Sequence, residues 1–421
     1  MAMQVKAGSI DSPTGTGNQA FTGVGFQPKV LLLFFDKSTA DGNAVSWMRC
    51  MGFGTSSTDR AAHGTSYIDN VAGGTANMGR SVSGTHVLYA YEASGGAITA
   101  FLVADIVTLD ADGFTLNFTT VQASAYKINY IALGGADLTN YNVSTRQAPA
   151  ATGSQGYTGE GFQPDCIIAI GTGTTTALPV STNNAGARNQ LSFGISGSAF
   201  ASAYDGNDSA STKYTGKGQK ADIMLMLNAN ASPPVVLYEA TLTSLDSDGY
   251  TWNWTTTSNA RFFFVLALKG GQYGLGVFNQ NVTPTTGNQA VSGLAFQPVG
   301  VTFASFWAAS TTSLSAAAQH GVGAANSSTS RFALTLAGAV SANTSVVDHN
   351  LDNANVIKSL TAGTPTVNTV ADFVSLDATG FTINNTTVDA TSREIIYLMF
   401  GNTAVAAAAL GAYKSLLGVG L

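Results

Sequence analysis

One phrase occurs three times in this chain, and it constrains the fold more than any other feature. GNQAFTGVGFQP (17–28), GSQGYTGEGFQP (153–164) and GNQAVSGLAFQP (287–298) share Gly-x-Gln and Phe-Gln-Pro, each followed by an apolar run. Phe26, Phe162 and Phe296 lie 136 and 134 residues apart. A second signature travels with the first: TLDADGFTLNFTT (108–120), SLDSDGYTWNWTT (244–256) and SLDATGFTINNTT (375–387). The chain is three copies of one module, and self-similarity at a fixed period decides the architecture before any local reading. The expected boundaries are 1–138, 139–274 and 275–402, with an unrepeated tail at 403–421. Each module has enough residues for its own core.

Within a module the signals are those of strands. KVLLLFF (29–35) is β-favouring and too short for a stable helix. Pro28, Pro164 and Pro298 stand at strand starts, where a missing N–H does no harm. Phe26, Phe162 and Phe296 read as core plugs at the entrance to that strand. FTLNFTT alternates, with Phe114, Leu116 and Phe118 on one face; YTWNWTT repeats this with Tyr250, Trp252 and Trp254. FTINNTT breaks it at Asn385. Gly113, Gly249 and Gly380 end hairpin turns at a left-handed position, with the neighbouring aspartate capping the turn. Six to eight strands per copy and no helix predict three tandem antiparallel β-sandwiches, an all-β fold. Residues 136–150 and 272–285, rich in Asn, Thr, Pro and Gly, read as linkers. The Ala-rich tail is the one helical candidate, as a short capping helix or a docking tail.

Composition excludes several classes. Only 10% of the 421 residues are charged, against a more usual ~25%, and 47 are glycine. Eighteen Lys and Arg in a chain of net charge −6 form no basic patch for nucleic acid. No apolar run reaches the ~20 residues of a membrane span, and MAMQVKAGSIDS lacks the apolar core of a secretion signal. Cys50 and Cys166 occupy non-equivalent positions and read as free thiols. His63, His86, His320 and His349 have no metal-ligand spacing. The Asp-rich turns resemble a fragment of a calcium loop without its further oxygen ligands. No nucleophile elbow or phosphate loop occurs. The expectation is a non-enzymatic protein without cofactor or metal.

The order of signatures resembles the H-type lectin-like sandwich. The residues concerned are Phe26 to Val30, Gly113 to Leu116 and Tyr130 to Gly134. That family's closing Trp is absent from all three copies, so its glycan contacts transfer to no residue here. Members assemble as trimers, which implies that three copies in one chain form a pseudo-threefold unit. The GFQPxxV…DGFTLNxTT…YIALGG wording is also similar to repeat modules of tailed-phage virion proteins. This resemblance implies a protein of the virion surface. The main expectation is a capsid decoration or cement protein whose partner is the major capsid protein. The alternative is a tail-fibre or tail-tip module binding a host glycan. Contacts are expected from stretches that differ between copies, near 55–97, 197–220 and 325–355, from Tyr67, Tyr204 and Tyr214, and from Tyr413 in the tail.

Overall fold

The computed structural model describes residues 2–68, 77–175, 178–183, 186–207, 212–257, 259–282, 284–305, 313–342, 345–363 and 365–403. Among these residues there is no helix; every regular element is a strand, and the strands pair antiparallel.

The first repeat holds β1 (Met3–Asp11), β2 (Gly17–Thr22), β3 (Pro28–Asp36), β4 (Gly42–Val45), β5 (Trp47–Gly54), β6 (Arg60–Tyr67), β7 (Met78–Ser83), β8 (Leu88–Ser94), β9 (Ala97–Asp110), β10 (Gly113–Thr120) and β11 (Lys127–Gly135). A large sheet runs β1-β11-β3-β5-β6-β7 and a small one β2-β10-β9-β8. The same two-sheet sandwich recurs in the second and third repeats. The strand count exceeds the six to eight expected, and the supposed linkers account for part of the excess. Asn140–Gln147 and Gln272–Asn279 are the edge strands of the second and third large sheets, equivalent to β1. The third repeat therefore begins at Gln272, just after Gly270 and Gly271. Polar composition hid these strands because an edge strand buries only part of its surface.

The apolar run of β3 splits by parity. Leu31, Leu33 and Phe35 enter the first sandwich core with Phe114, Leu116 and Phe118. Val30, Leu32 and Phe34 point the other way, into a cluster that also holds Ile168, Ile170 and Leu266 of repeat two and Val322, Leu334 and Leu398 of repeat three. The large sheets are buried on both faces, so their strands read as continuous apolar runs rather than alternating ones. Three sandwiches surround one shared axial core.

Strand exchange closes this ring. β4 leaves repeat one and pairs with Val347–Asp352 of repeat three, in register Val45↔Asp348 to Gly42↔Leu351. Val180–Asn183 of repeat two pairs with β7 of repeat one. Leu314–Ala316 of repeat three pairs with Thr212–Lys220 of repeat two. Each repeat thus gives a short strand to one neighbour and receives one from the other, and Ser341–Ala342 of repeat three adds a second short pairing on Thr212–Lys220. After each exchange strand the backbone turns through a left-handed residue: Ser46 (φ 67°), Gly186 (φ 77°) and Ala317 (φ 65°). Two of these are not glycine, and such a conformation is uncommon for a residue bearing a Cβ. The tertiary structure holds it, with Ser46 N–H donating to the Val347 carbonyl at 2.7 Å and Ala317 N–H to Thr215 at 2.9 Å.

The recurring motifs act inside each sandwich. Asp112 accepts the N–H groups of Gly23 and Gly25 (3.3 and 2.5 Å), and Asp248 those of Gly159 and Gly161 (3.1 and 2.6 Å). Where repeat three has Thr379, its carbonyl takes the Leu294 N–H at 3.0 Å. The first aspartate of each turn, Asp110, Asp246 or Asp377, accepts the Thr115, Thr251 or Thr382 hydroxyl at 2.7–2.8 Å. A Cβ on Gly113, Gly249 or Gly380 would strike the carbonyl of Phe21, Tyr157 or Val291. Close approach is what these three glycines share. Gly113 and Gly249 also have positive φ (148° and 139°), whereas Gly380 does not, so the expected left-handed turn position does not extend to it. Phe26, Phe162 and Phe296 are half-buried rather than central. Phe26 and Phe162 pack at the margin of their cores, and Phe296 lies against Gly401. Asn385 still faces inward, fully buried, and is bonded by Gln280 (2.9 Å) and Gln289 (3.0 Å).

Candidate functional site

Three places combine residues from different repeats: the middle of the axis, its exchange-strand end, and its opposite end. β5 and its counterparts put Arg49, Asn189 and His320 at one equivalent level of the axis, as their registers show. Arg49 binds Asp36 through both forks, Nε–Oδ1 at 2.8 Å and Nη2–Oδ2 at 2.5 Å. Its Nη1 lies 2.7 Å from His320 Nδ1. Arginine only donates, so Nδ1 is the acceptor and the ring is neutral with its proton on Nε2. Burial, with Arg49 and His63 nearby, holds His320 well below the usual histidine range. Tyr204 lies tilted against His320, with ring centroids 5.1 Å apart, and its hydroxyl meets Thr65 Oγ1 at 2.8 Å. His63 is fully buried with neither ring nitrogen hydrogen-bonded, and burial pushes it down to about 3.

Perturbed titratable groups of this kind often mark active sites. Here the groups are closed off from solvent: Arg49 is 1% exposed and His63, Tyr204 and His320 are 0%. The arrangement can hold three different repeats in register, because each position carries a different partner. Among the described residues no group of three or more His, Cys, Asp or Glu could hold a metal ion. The Asp-rich turns spend their oxygens on the protein's own donors. Cys50 and Cys166 are free and buried, and burial pushes Cys50 up to about 12 and Cys166 higher still.

The exchange-strand end is plugged by Trp47, Tyr67, Met78, Ala187, Tyr204, Ala318, Leu336 and Val347, drawn from all three repeats. Trp47 meets Tyr67 and Tyr204 edge-on, with centroids 5.4 and 5.6 Å away. This corrects the expectation that Tyr67 and Tyr204 are exposed contact residues: both are 0% exposed. Tyr214 is half-buried on the strand that receives Leu314–Ala316, while Tyr413 lies outside the described residues. The stretches that differ between copies also change meaning. Much of 55–97, 197–220 and 325–355 is strand, and it supplies the walls between repeats rather than free loops. A signal was present: 10, 14 and 12 residues separate the buried strand from the strand it pairs with next in the three copies, long for a hairpin.

At the opposite end the repeat junctions converge. Met3 N–H donates to Asn402 Oδ1 (2.9 Å), Thr403 N–H to Asp137 Oδ2 (2.9 Å), and Gly271 N–H to Thr403 Oγ1 (3.2 Å). The last described residue is thus tied to all three repeats beside the axial core, which holds Met3 and Leu138; residues 404–421, including the helical candidate, lie outside the described residues. Near this end, two repeat contacts are clamped by a turn side chain on an edge strand: Asn326 Oδ1 on Ala7 N–H (3.0 Å) and Asp59 Oδ2 on Val143 N–H (3.1 Å). The third contact has a shorter turn and opens into a cavity of about 440 Å³, lined by Ile195, Tyr273, Leu275, Leu294 and Phe296. Among the described residues no helix is long and apolar enough to cross a membrane. No protein-family model matches this chain, and a comparison with characterised proteins finds no match.

Proposed function

We propose that this chain is a non-enzymatic structural protein of a tailed-phage virion, a decoration or cement protein that caps a local threefold of the capsid and bridges neighbouring copies of the major capsid protein. The cyclic strand exchange carries this reading. One polypeptide presents three near-equivalent faces around one axis, and its chain leaves Thr403 on that axis. A threefold partner meets three matched surfaces at once, so weak contacts multiply into avidity without a deep binding site. The low charge and hydroxyl-rich composition suit a surface made of many modest contacts. The tail 403–421 then serves as the axial anchor.

Purified protein added to expanded capsids lacking it tests the proposal. Saturable binding that is lost on deletion of 404–421 is the expected result. Binding to host cells or a glycan array with no affinity for capsids would replace it with the receptor-binding alternative. That alternative drew on exposed Tyr67 and Tyr204, and their burial removes part of its support.

A further inference from the structure

Each exchange strand crosses its acceptor opposite a basic residue: Thr182 opposite Arg80, Ser315 opposite Lys217, and Ala44 opposite His349. Two of these junctions satisfy their basic groups internally. Lys217 Nζ donates to Gln319 Oε1 (2.6 Å), and the neighbouring Arg393 grips Asp389 through Nε (3.2 Å) and Nη2 (3.0 Å). His349 sits between the Ser46 carbonyl (2.5 Å) and Ser38 Oγ (2.9 Å).

The junction of repeats one and two is different. Arg80, Arg188 and Arg261 meet there, close enough that the other two help burial draw Arg80 down to about 10. Arg80 Nη1 donates to the Thr172 carbonyl (3.3 Å), and Arg261 Nη1 to that of Gly173, the next residue. Arg188 donates to Asn228 Oδ1 (3.2 Å) and pairs with Asp205 (3.3 Å). Among the described residues, Asp205 is the one carboxylate that acts on Arg80, and it is held by the Ala229 N–H (2.8 Å). Arg80 Nε is buried with no hydrogen-bond partner. Among the described residues, three guanidinium groups and one carboxylate leave an excess of two positive charges at a half-buried seam. Half-buried charge needs a counter-charge, and guanidinium forks match oxyanions in shape and donor geometry.

We propose that this seam binds a tetrahedral dianion of the phosphate or sulfate class, held by Arg80 from one repeat and Arg188 and Arg261 from the next. The bound ion neutralises the excess and ties the two repeats together. It stands independently of the capsid reading. The test is isothermal titration of the intact chain with inorganic phosphate, and separately sulfate, in chloride buffer of matched ionic strength. One site per chain is expected, weakened at least about tenfold by Arg261→Gln. It is retained by Arg393→Gln, the change at the equivalent position of repeat three. Arg188→Lys, which keeps the charge and the fold but loses the fork, is expected to weaken binding as well. No heat with either ion, or equal binding in Arg261→Gln and Arg188→Lys, overturns the proposal.

Discussion

The inside of a sandwich and the axis between sandwiches use sequence in opposite ways. On the inner face, Phe114, Leu116 and Phe118 correspond to Tyr250, Trp252 and Trp254 and to Phe381, Ile383 and Asn385. Residue size varies, but the job does not. On the axis, one equivalent position holds Arg49, Asn189 and His320, and the next strand supplies Thr65, Tyr204 and Leu336 opposite them. Three arginines at that level would repel one another. One arginine, with its own Asp36 and a neutral His320 to accept its remaining fork, is compatible with burial. Identical modules keep a fold; divergent ones can pack around a common line. That difference is a physical reason for one chain to carry three copies instead of three chains carrying one.

The largest effects test where each region's stability lives. Arg49→Met leaves Asp36 buried without its partner and is expected to cost ~3–5 kcal/mol, with amide exchange rising in all three repeats. Trp252→Ala, of similar cost at ~3–5 kcal/mol, is expected to raise exchange chiefly in the second sandwich. If Arg49→Met disturbs repeat one alone, the axis is not a shared core. The double change Asp36→Leu with Arg49→Met is expected to recover much of the loss, because no buried charge is then left unpaired.

Acid probes the axis next. His63 is neutral when folded, with its pKa pushed down to about 3 by burial, against 6.5 when unfolded. Between those values the unfolded chain binds the extra proton, so stability falls as pH drops from 6.5 towards 3. His63→Leu introduces the residue found at the equivalent place in repeat three, Leu334. Compared with that variant, the natural chain is expected to lose about 1.4 kcal/mol per pH unit below 6.5 and nothing above it. The difference between the two denaturation curves isolates His63 from Asp205, which burial raises to about 6 and which works in the opposite direction. Parallel curves from pH 7 to 4 would mean that His63 reaches solvent.

Smaller effects refine the sandwich side. Phe162 lies at the margin of its core, so Phe162→Ala is expected to cost roughly 1–2 kcal/mol, below the ~3–5 of a central phenylalanine; chemical denaturation distinguishes the two. Ala317→Gly adopts the residue that repeat two uses at the same left-handed turn, and a gain of less than about 1 kcal/mol is expected. A loss there would mean that the Ala317 methyl contributes packing that outweighs its backbone strain.

Much of the sandwich was legible because its determinants are local. The alternation of FTLNFTT, the prolines at strand starts and the Asp-Gly turns each act within a few residues or one hairpin. The axis was less so, although KVLLLFF held the clue: Leu31 and Leu32 point to opposite faces and both are buried, which an isolated sandwich does not require. Tyr67 and Tyr204 resembled surface aromatics because their neighbours are small and polar, and only the ring closure brings Trp47 against both. The exchange strands were hidden for another reason. Gly42–Val45, Val180–Asn183 and Leu314–Ala316 are three or four residues long, too short for a periodic pattern, and their partners lie in another repeat.

Cyclic closure is the point on which the rest depends, and a cross-link reads it directly. Asn43 of β4 pairs with Asn350 of repeat three, their side chains joined at 2.7 Å. Opposed residues of an antiparallel pair have Cβ atoms about 4.5–5.5 Å apart, a gap that a small adjustment brings within disulfide reach. The native thiols are buried and do not compete. Oxidation of the Asn43→Cys, Asn350→Cys variant is expected to give an intrachain disulfide in the monomer, seen as a mobility shift on a non-reducing gel at unchanged mass per chain. Free thiols after oxidation, or disulfides only between chains, would contradict a closed ring.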